Sequence, residues 1–282
     1  MLFPENPVLR KELLLRFRIR QSTPVKIGIV SLMVLALVYL HYVALESLMK
    51  EPGAFAGQAV YQITFGVQFL LVGLLAPALT ANAISQEREQ QTWEMLLVSR
   101  LTVGEILWGK LLARCLPLLL VILLGMPLAS VGWEHWLTRG IRAEGVDNFF
   151  HTPPPGGIYF WLNYAALFAM GAFFASFAFY LSLRFKRTIY AMLGSYAFIV
   201  GFLCVGTTLI TGVLEMLSSS RYGNSLNHPL MWLNPLVIVT NLTSAQGANY
   251  TQALDGAFVY ALLSALMLRL TFSRFKRYAY DR

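Results

Sequence analysis

Long apolar runs dominate the chain, separated by short polar clusters and without the strict alternation of a half-buried sheet. Stretches free of Asp, Glu, Lys and Arg cover residues 27–45, 52–86, 115–133, 152–183, 188–214 and 222–254, each at least 19 residues long. A helix crossing the hydrocarbon core needs about 20 apolar residues. The pattern predicts an all-α polytopic membrane protein in one transmembrane domain, 1–282, with six spans at about 25–48, 58–84, 104–131, 158–183, 188–214 and 250–272. The apolar stretch 230–239 is interrupted by Asn234-Pro235 and is too short to cross. Residues 228–247 are therefore expected to form a re-entrant or interfacial segment before the last helix, where broken backbone is tolerated against protein or water.

Two polar segments carry helical patterns of their own. Asn6-Pro7 is a cap followed by the residue best tolerated at the first helical position. Leu9, Leu13 and Phe17 then recur every four residues among Arg10, Lys11, Arg16, Arg18 and Arg20, with Glu12 placed to pair with Arg16 one turn on. The expected element is an amphipathic helix over 7–20, its apolar stripe in the inner leaflet. A plain topogenic charge cluster would need only the charges. The second segment, Ser85 to Ser99, passes from polar residues to Trp93, Leu96 and Leu97 at i, i+3, i+4 spacing. That spacing predicts a helix over 86–98 with Glu87, Arg88, Glu89 and Glu94 on its other faces. Thr102-Val-Gly-Glu105 fits a capping box that restarts a helix through Lys110 and Arg114.

Charge orients this layout. The chain has 22 Lys and Arg against 14 Asp and Glu, a formal net charge of +8. Eighteen of the basic residues lie on the termini, the 85–114 connection and the 184–187 connection, while the acidic residues divide evenly between the two sides. The positive-inside rule then places both termini in the cytoplasm of a multi-pass protein of the cell (inner or plasma) membrane. Because the basic excess sits beside helix ends, the lipid bilayer is its expected partner and nucleic acid is not. Trp133, Trp136, Tyr159, Trp161 and Trp232 fall near the proposed outer boundaries, as an interfacial aromatic belt would.

Chemistry is sparse. Gly104 to Lys110 has Walker A spacing, but Leu111 stands where the magnesium-binding hydroxyl belongs and the stretch starts a membrane helix, so no nucleotide site is expected on this chain. The two cysteines, Cys115 and Cys204, lie in apolar segments away from other soft ligands, and neither a disulfide framework nor a metal site is expected. His41 is the one histidine within a proposed span, and an interfacial hydrogen-bonded role competes with a proton relay or ligand role there. No carboxylate or basic residue falls near mid-membrane, which argues against a proton-driven carrier. No residues are expected to be catalytic. Ala165, Ala169, Ala172 and Ser176 form a small-residue stripe suited either to packing within the bundle or to a subunit interface.

The run Leu75-Ala-Pro77-Ala-Leu-Thr80-Ala-Asn-Ala-Ile-Ser-Gln-Glu87-Arg-Glu89-Gln-Gln-Thr92-Trp-Glu-Met-Leu-Leu-Val-Ser-Arg-Leu101, continued by Glu105-Ile-Leu-Trp-Gly109-Lys110, resembles the permease subunits of ABC-2-type ABC transporters. The opening Asn6-Pro7-Val-Leu-Arg-Lys-Glu12-Leu is similar to one bacterial branch of these permeases. The similarity in motif covers roughly 6–20 and 73–130. Gln91 stands where many members have Gly. The resemblance implies that 86–98 is a coupling helix docking on a separate ABC ATPase subunit, where ATP and magnesium are bound, and that 7–20 lies on the membrane and also contacts that subunit. It further implies a bacterial exporter whose pathway forms between two permeases, a second copy or a paired chain. The coupling residues would be Glu87, Arg88, Glu89, Thr92 and Trp93, with Arg184, Lys186 and Arg187 in a shorter second contact. The alternative is a non-transporting membrane subunit of an ATPase-driven maturation or surface-assembly complex, although the 132–157 loop is small for the outer domain such a role requires.

Overall fold

The computed structural model describes residues 7–17, 54–93, 101–143, 157–202 and 250–280, together with Leu35, Val38, Tyr39, Tyr42, Val43, Glu46 and Val98. Among these residues the regular structure is helical: α1 (Pro7–Phe17), α2 (Ala54–Thr80), α3 (Ser85–Glu89), α4 (Val103–Ala143), α5 (Ile158–Arg184), α6 (Thr188–Val200) and α7 (Tyr250–Tyr280). Four helical stretches, Ala56–Glu89, Val103–Thr138, Ile158–Arg184 and Leu254–Arg277, are long and apolar enough to cross a membrane. The remainder of the 188–214 span beyond residue 202, the re-entrant segment 228–247, His41 and all but isolated positions of the 25–48 span lie outside the described residues.

Two helices run well past the ends that apolarity predicts. α4 continues beyond 131 to Ala143, and α7 beyond 272 to Tyr280. The apolar stretch ends at the expected places, but neither extension contains proline, so backbone hydrogen bonding carries the helices onward. Pro77 in α2 and Pro117 and Pro127 in α4 sit inside helices. Side chains of neighbouring helices bond carbonyls near two of these prolines: Tyr196 Oη donates to the Leu74 carbonyl at 2.8 Å, and Gln68 Nε2 to that of Ile122 at 2.9 Å. Buried hydroxyls are satisfied within their own helices, as Thr64 on Val60, Thr80 on Ala76 and Ser195 on Ala191 show.

The chain divides into two units, and α2 contributes to both. One unit contains α1, α2 as far as Gln68, and α4. Here α2 and α4 run antiparallel in backbone contact: a Cβ placed on Gly57 would lie 2.5 Å from the Trp136 nitrogen and 2.8 Å from the Gly132 carbonyl. This approach encloses Tyr61, whose ring meets Trp133 edge-on at 5.0 Å and Trp136 at 6.4 Å. The expectation of an aromatic belt is corrected accordingly. Trp133, Trp136 and Tyr159 are buried within the protein because other side chains cover them, whereas Trp161 is exposed; Trp232 lies outside the described residues.

α1 packs on α4 in the same unit through Val8, which is buried, and Glu12. Lys110 Nζ lies 3.1 Å from Glu12 Oε1, and the Arg114 guanidinium 3.9 Å from Glu12 Oε2. Of the expected membrane-facing residues, Leu9 and Leu13 are half-buried and Arg10 and Lys11 exposed, while the side chains of Arg16 and Phe17 lie outside the described residues. Glu12 thus has long-range partners on α4 that the local pairing with Arg16 did not anticipate.

The second unit comprises α2 from Phe69, α3, α5, α6 and α7. α5 and α7 run in the same direction, aligned by Phe173 on Tyr260 with rings 5.7 Å apart, Ser176 on Ser264, and Arg274 stacked over Tyr180. α6 folds back antiparallel on α5 after a short turn, with the Phe177 and Phe198 rings stacked at 4.0 Å. α2 runs parallel to α5: a Cβ on Gly171 would meet Val72, Ala81 packs with Ala178 and Ala191, and Ile84 reaches Ser182. Ser176 alone of the small-residue stripe is buried; Ala169 and Ala172 are half-buried and Ala165 is exposed.

Candidate functional site

The connection leaving α2 is built by backbone geometry before any side chain acts. After Thr80 the chain makes a tight turn, with the Ala81 amide on the Pro77 carbonyl at 2.9 Å and the Ala83 amide on that of Thr80 at 3.1 Å. The one-turn helix α3 then forms and stops at once. Gln91 takes φ 57°, the left-handed conformation, while the Thr92 amide bonds the Glu87 carbonyl and the Gln91 amide that of Arg88. These two bonds around a left-handed residue are a Schellman stop, a position usually held by glycine. The continuous helix expected over 86–98 is therefore corrected: it is broken at Gln91, and helical structure resumes at Trp93. Residues 94–97, including Leu96 and Leu97, lie outside the described residues.

This connection is tied to three helices of its unit. The Ser182 hydroxyl oxygen, buried on α5, accepts the amides of Ile84 at 2.7 Å and Ser85 at 3.0 Å. Arg88 donates from Nη1 to the Leu183 carbonyl at 2.9 Å, near the last turn of α5, and its guanidinium lies over the Trp93 ring. Trp93 is itself buried and meets Phe275 of α7 edge-on at 5.1 Å. Glu89 reaches the start of α6: one carboxylate oxygen accepts the Thr188 amide at 2.7 Å and the other the Thr188 hydroxyl at 3.0 Å. A carboxylate on the first amide of a helix satisfies a donor that has no partner within the helix and opposes the positive end of its dipole.

The candidate residues therefore fall into two groups. Arg88, Glu89 and Trp93 contact α5, α6 and α7, Arg88 half-buried, Glu89 exposed and Trp93 buried, whereas Gln86, Gln90, Gln91 and Thr92 are exposed and reach none of these helices by a hydrogen bond described above, and Arg184, Lys186 and Arg187 are exposed around the α5–α6 turn. Glu87 is half-buried. The sequence did not single out Ser182, Thr188 or Phe275. A serine near the end of an apolar helix and a threonine opening the next were the available signals, but the pairing partners lie far away in the chain. Farther along, Thr102 and Glu105 form the expected capping box: the carboxylate accepts the Thr102 amide at 2.9 Å, and the Thr102 hydroxyl oxygen accepts the Glu105 amide at 3.3 Å.

Among the described residues no group of three or more His, Cys, Asp or Glu side chains converges as metal ligands do. The arrangement is a surface-exposed polar turn hydrogen-bonded to the end of α5 and the start of α6 and packed on α7 through Trp93. The profile of one protein family, described as ABC-2 family transporter protein, matches residues 8–279. The chain belongs to the ABC-2 transporter family. No curated protein is similar enough to match. As an ABC-2 family member, it is a multi-pass membrane component of ABC transport, a class of chain that generally associates with an ABC ATPase and is not itself catalytic. In this ABC-2 protein the matched region takes in both the α1–α4 ion pairs and the α3 connection.

Proposed function

We propose that this chain is the membrane-spanning permease subunit of an ATP-driven exporter, and that α3 with its flanking turns is the element that docks on a separate ATPase subunit. The observation that carries this reading is the α3 connection itself. A link between two spans needs only a few residues, yet this one folds into its own turn of helix, is hydrogen-bonded to α5 and α6 and packed on α7, and leaves a polar surface outward. Such a connection suits the transfer of movement into the bundle. In the second unit Arg88, Arg184, Lys186, Arg187, Arg274, Lys276 and Arg277 gather toward the end that carries α3, which supports a cytoplasmic placement of that end.

ATP and magnesium are bound by the ATPase, and none of the residues of this chain acts on the nucleotide. Closure of the ATPase subunits around ATP moves the docked connections, and a pathway between two permeases, identical or paired, opens outward. α1 lies along the inner membrane surface, held to α4 by Glu12. The test begins with the full-length chain purified from its native membrane. An ATPase with magnesium-dependent turnover is expected to co-purify, and Gln86→Arg with Gln90→Arg on the exposed face is expected to release it while insertion persists. Retention of the ATPase at unchanged turnover by this variant would overturn the docking assignment.

A further inference from the structure

The side chains of the α3 connection divide, by what they bond, in a way that the docking reading alone does not require. A segment that served only as a contact surface would leave its charged side chains unengaged. Glu89 is exposed, yet both of its carboxylate oxygens are taken up by one residue, Thr188, through its amide and its hydroxyl. Ser85 Oγ lies 3.3 Å from the same hydroxyl, so α3 meets the first residue of α6 at its own start and at its end. Two-point attachment to a helix terminus transmits translation as well as rotation, because neither bond can lengthen much without leaving hydrogen-bonding range. A carboxylate accepting from a backbone amide is also among the stronger hydrogen bonds.

Resting on the permease reading above, we propose that Glu89 is a positioning residue that ties the movement of α3 to α6 through Thr188, and that it does not itself hold the ATPase. Contact with the ATPase falls to Gln86, Gln90, Gln91 and Thr92. Arg88 and Trp93 fasten the same connection to α5 and α7, and Glu89 supplies the two shorter of the bonds that α3 makes to Thr188 of α6, beside the longer one from Ser85. Thr188 is the other half of the joint. Its amide is retained in any substitution except proline, and its hydroxyl is the part that can be removed cleanly.

The experiment compares the wild-type chain, in complex with its co-purifying ATPase in lipid vesicles, with Glu89→Ala, Thr188→Val, Thr188→Ser and the Glu89→Ala/Thr188→Val double variant. Magnesium-ATP turnover, its KM and the amount of ATPase retained are measured together. Glu89→Ala and Thr188→Val are expected to keep the ATPase and its KM for ATP while stimulated turnover falls, about tenfold for Glu89→Ala, the scale set by loss of a hydrogen bond to a charged group. Thr188→Ser keeps both donors and is expected to match the wild type. The double variant is expected to be no worse than Glu89→Ala, since both substitutions break one joint. Full turnover in Glu89→Ala, or loss of the ATPase from it, overturns this inference alone and leaves the permease reading standing. A wild-type chain that brings down no ATPase overturns both.

Discussion

Removing the carboxylate of Glu12 is expected to release α1 from α4. Lys110 and Arg114 are 1% and 5% exposed, and Glu12 pairs with both, at 3.1 and 3.9 Å. Breaking a buried ion pair by deleting one partner costs roughly 3–5 kcal/mol, because the remaining buried charge loses favourable interaction. The Glu12 side chain keeps 17% of its exposure and its contact to Arg114 is long, which puts the expected cost at the lower end, about 3 kcal/mol. That corresponds to roughly a hundredfold rise in the undocked population.

Val8 supplies the reporter for this change. It is buried on the face of α1 that carries Glu12, four residues away. In a Val8→Cys chain, thiol modification at position 8, followed by peptide mass spectrometry so that Cys115 and Cys204 do not interfere, measures opening of α1. Adding Glu12→Ala is expected to speed modification by roughly a hundredfold when opening is fast relative to labelling. Lys110→Met is expected to act less, since Arg114 still faces Glu12. The Glu12→Ala/Lys110→Met pair is expected to fall short of the sum of the two single effects, by about 1 kcal/mol or more. Equal labelling rates with and without Glu12, or strictly additive effects, would refute the reasoning.

Three further outcomes follow from local geometry. Ser182→Ala removes the acceptor for two buried amides and is expected to cost about 2 kcal/mol or more, seen as faster hydrogen exchange at Ile84 and Ser85 with the rest of α5 unchanged. Gly57→Ala forces a methyl into the backbone of α4 and is expected to destabilise by about 1–3 kcal/mol, whereas Gly66→Ala, with open space at its Cβ, is expected to be neutral or to stabilise by up to about 1 kcal/mol; thermal unfolding in detergent distinguishes them. Gln91→Gly relieves a left-handed residue that favours glycine and is expected to raise stability by up to about 1 kcal/mol, whereas Gln91→Val is expected to lower it; thermal midpoints of opposite sign would contradict the Schellman stop.

What the sequence made legible was whatever is local. The capping box from Thr102 to Glu105 spans four residues, and the structure has it; the span at 158–183 is bounded by a proline- and glycine-rich stretch and by Arg184, and α5 occupies Ile158–Arg184. The break at Gln91 was not legible from the residue itself, because glutamine is a good helix former; the one signal was that Gln91 stands where many members of the resembled family have Gly. The Glu12–Lys110 pair joins residues 98 apart, so no periodicity along either helix reveals it, although two bases one turn apart at Lys110 and Arg114 already called for an acid if buried. Trp133 and Trp136 look like interfacial residues by composition. Their burial depends on Gly57 and Gly132, which let α2 approach closely enough to cover them.

The scarcity of charge in this chain carries more meaning once the joints are located. A charged side chain beside an apolar helix is costly unless it is paired or hydrogen-bonded, so those that persist at helix ends indicate where an element outside the spans is attached. In one unit Glu12 fastens α1 to α4 through Lys110 and Arg114; in the other Glu89 fastens α3 to α6 and Arg88 fastens it to α5. The apolar helices are joined chiefly by shape, Gly57 on Gly132 and Phe177 on Phe198, with uncharged hydrogen bonds such as Gln68 on Ile122 and Tyr196 on Leu74 added between them. Charged joints hold the short elements, whereas steric fit and neutral hydrogen bonds hold the long ones. Each of the short elements α1 and α3 thus presents one carboxylate that makes directed bonds to its neighbouring helix, beside Val8 in one case and Ser85 in the other, and that carboxylate is where substitution separates attachment from folding most cleanly.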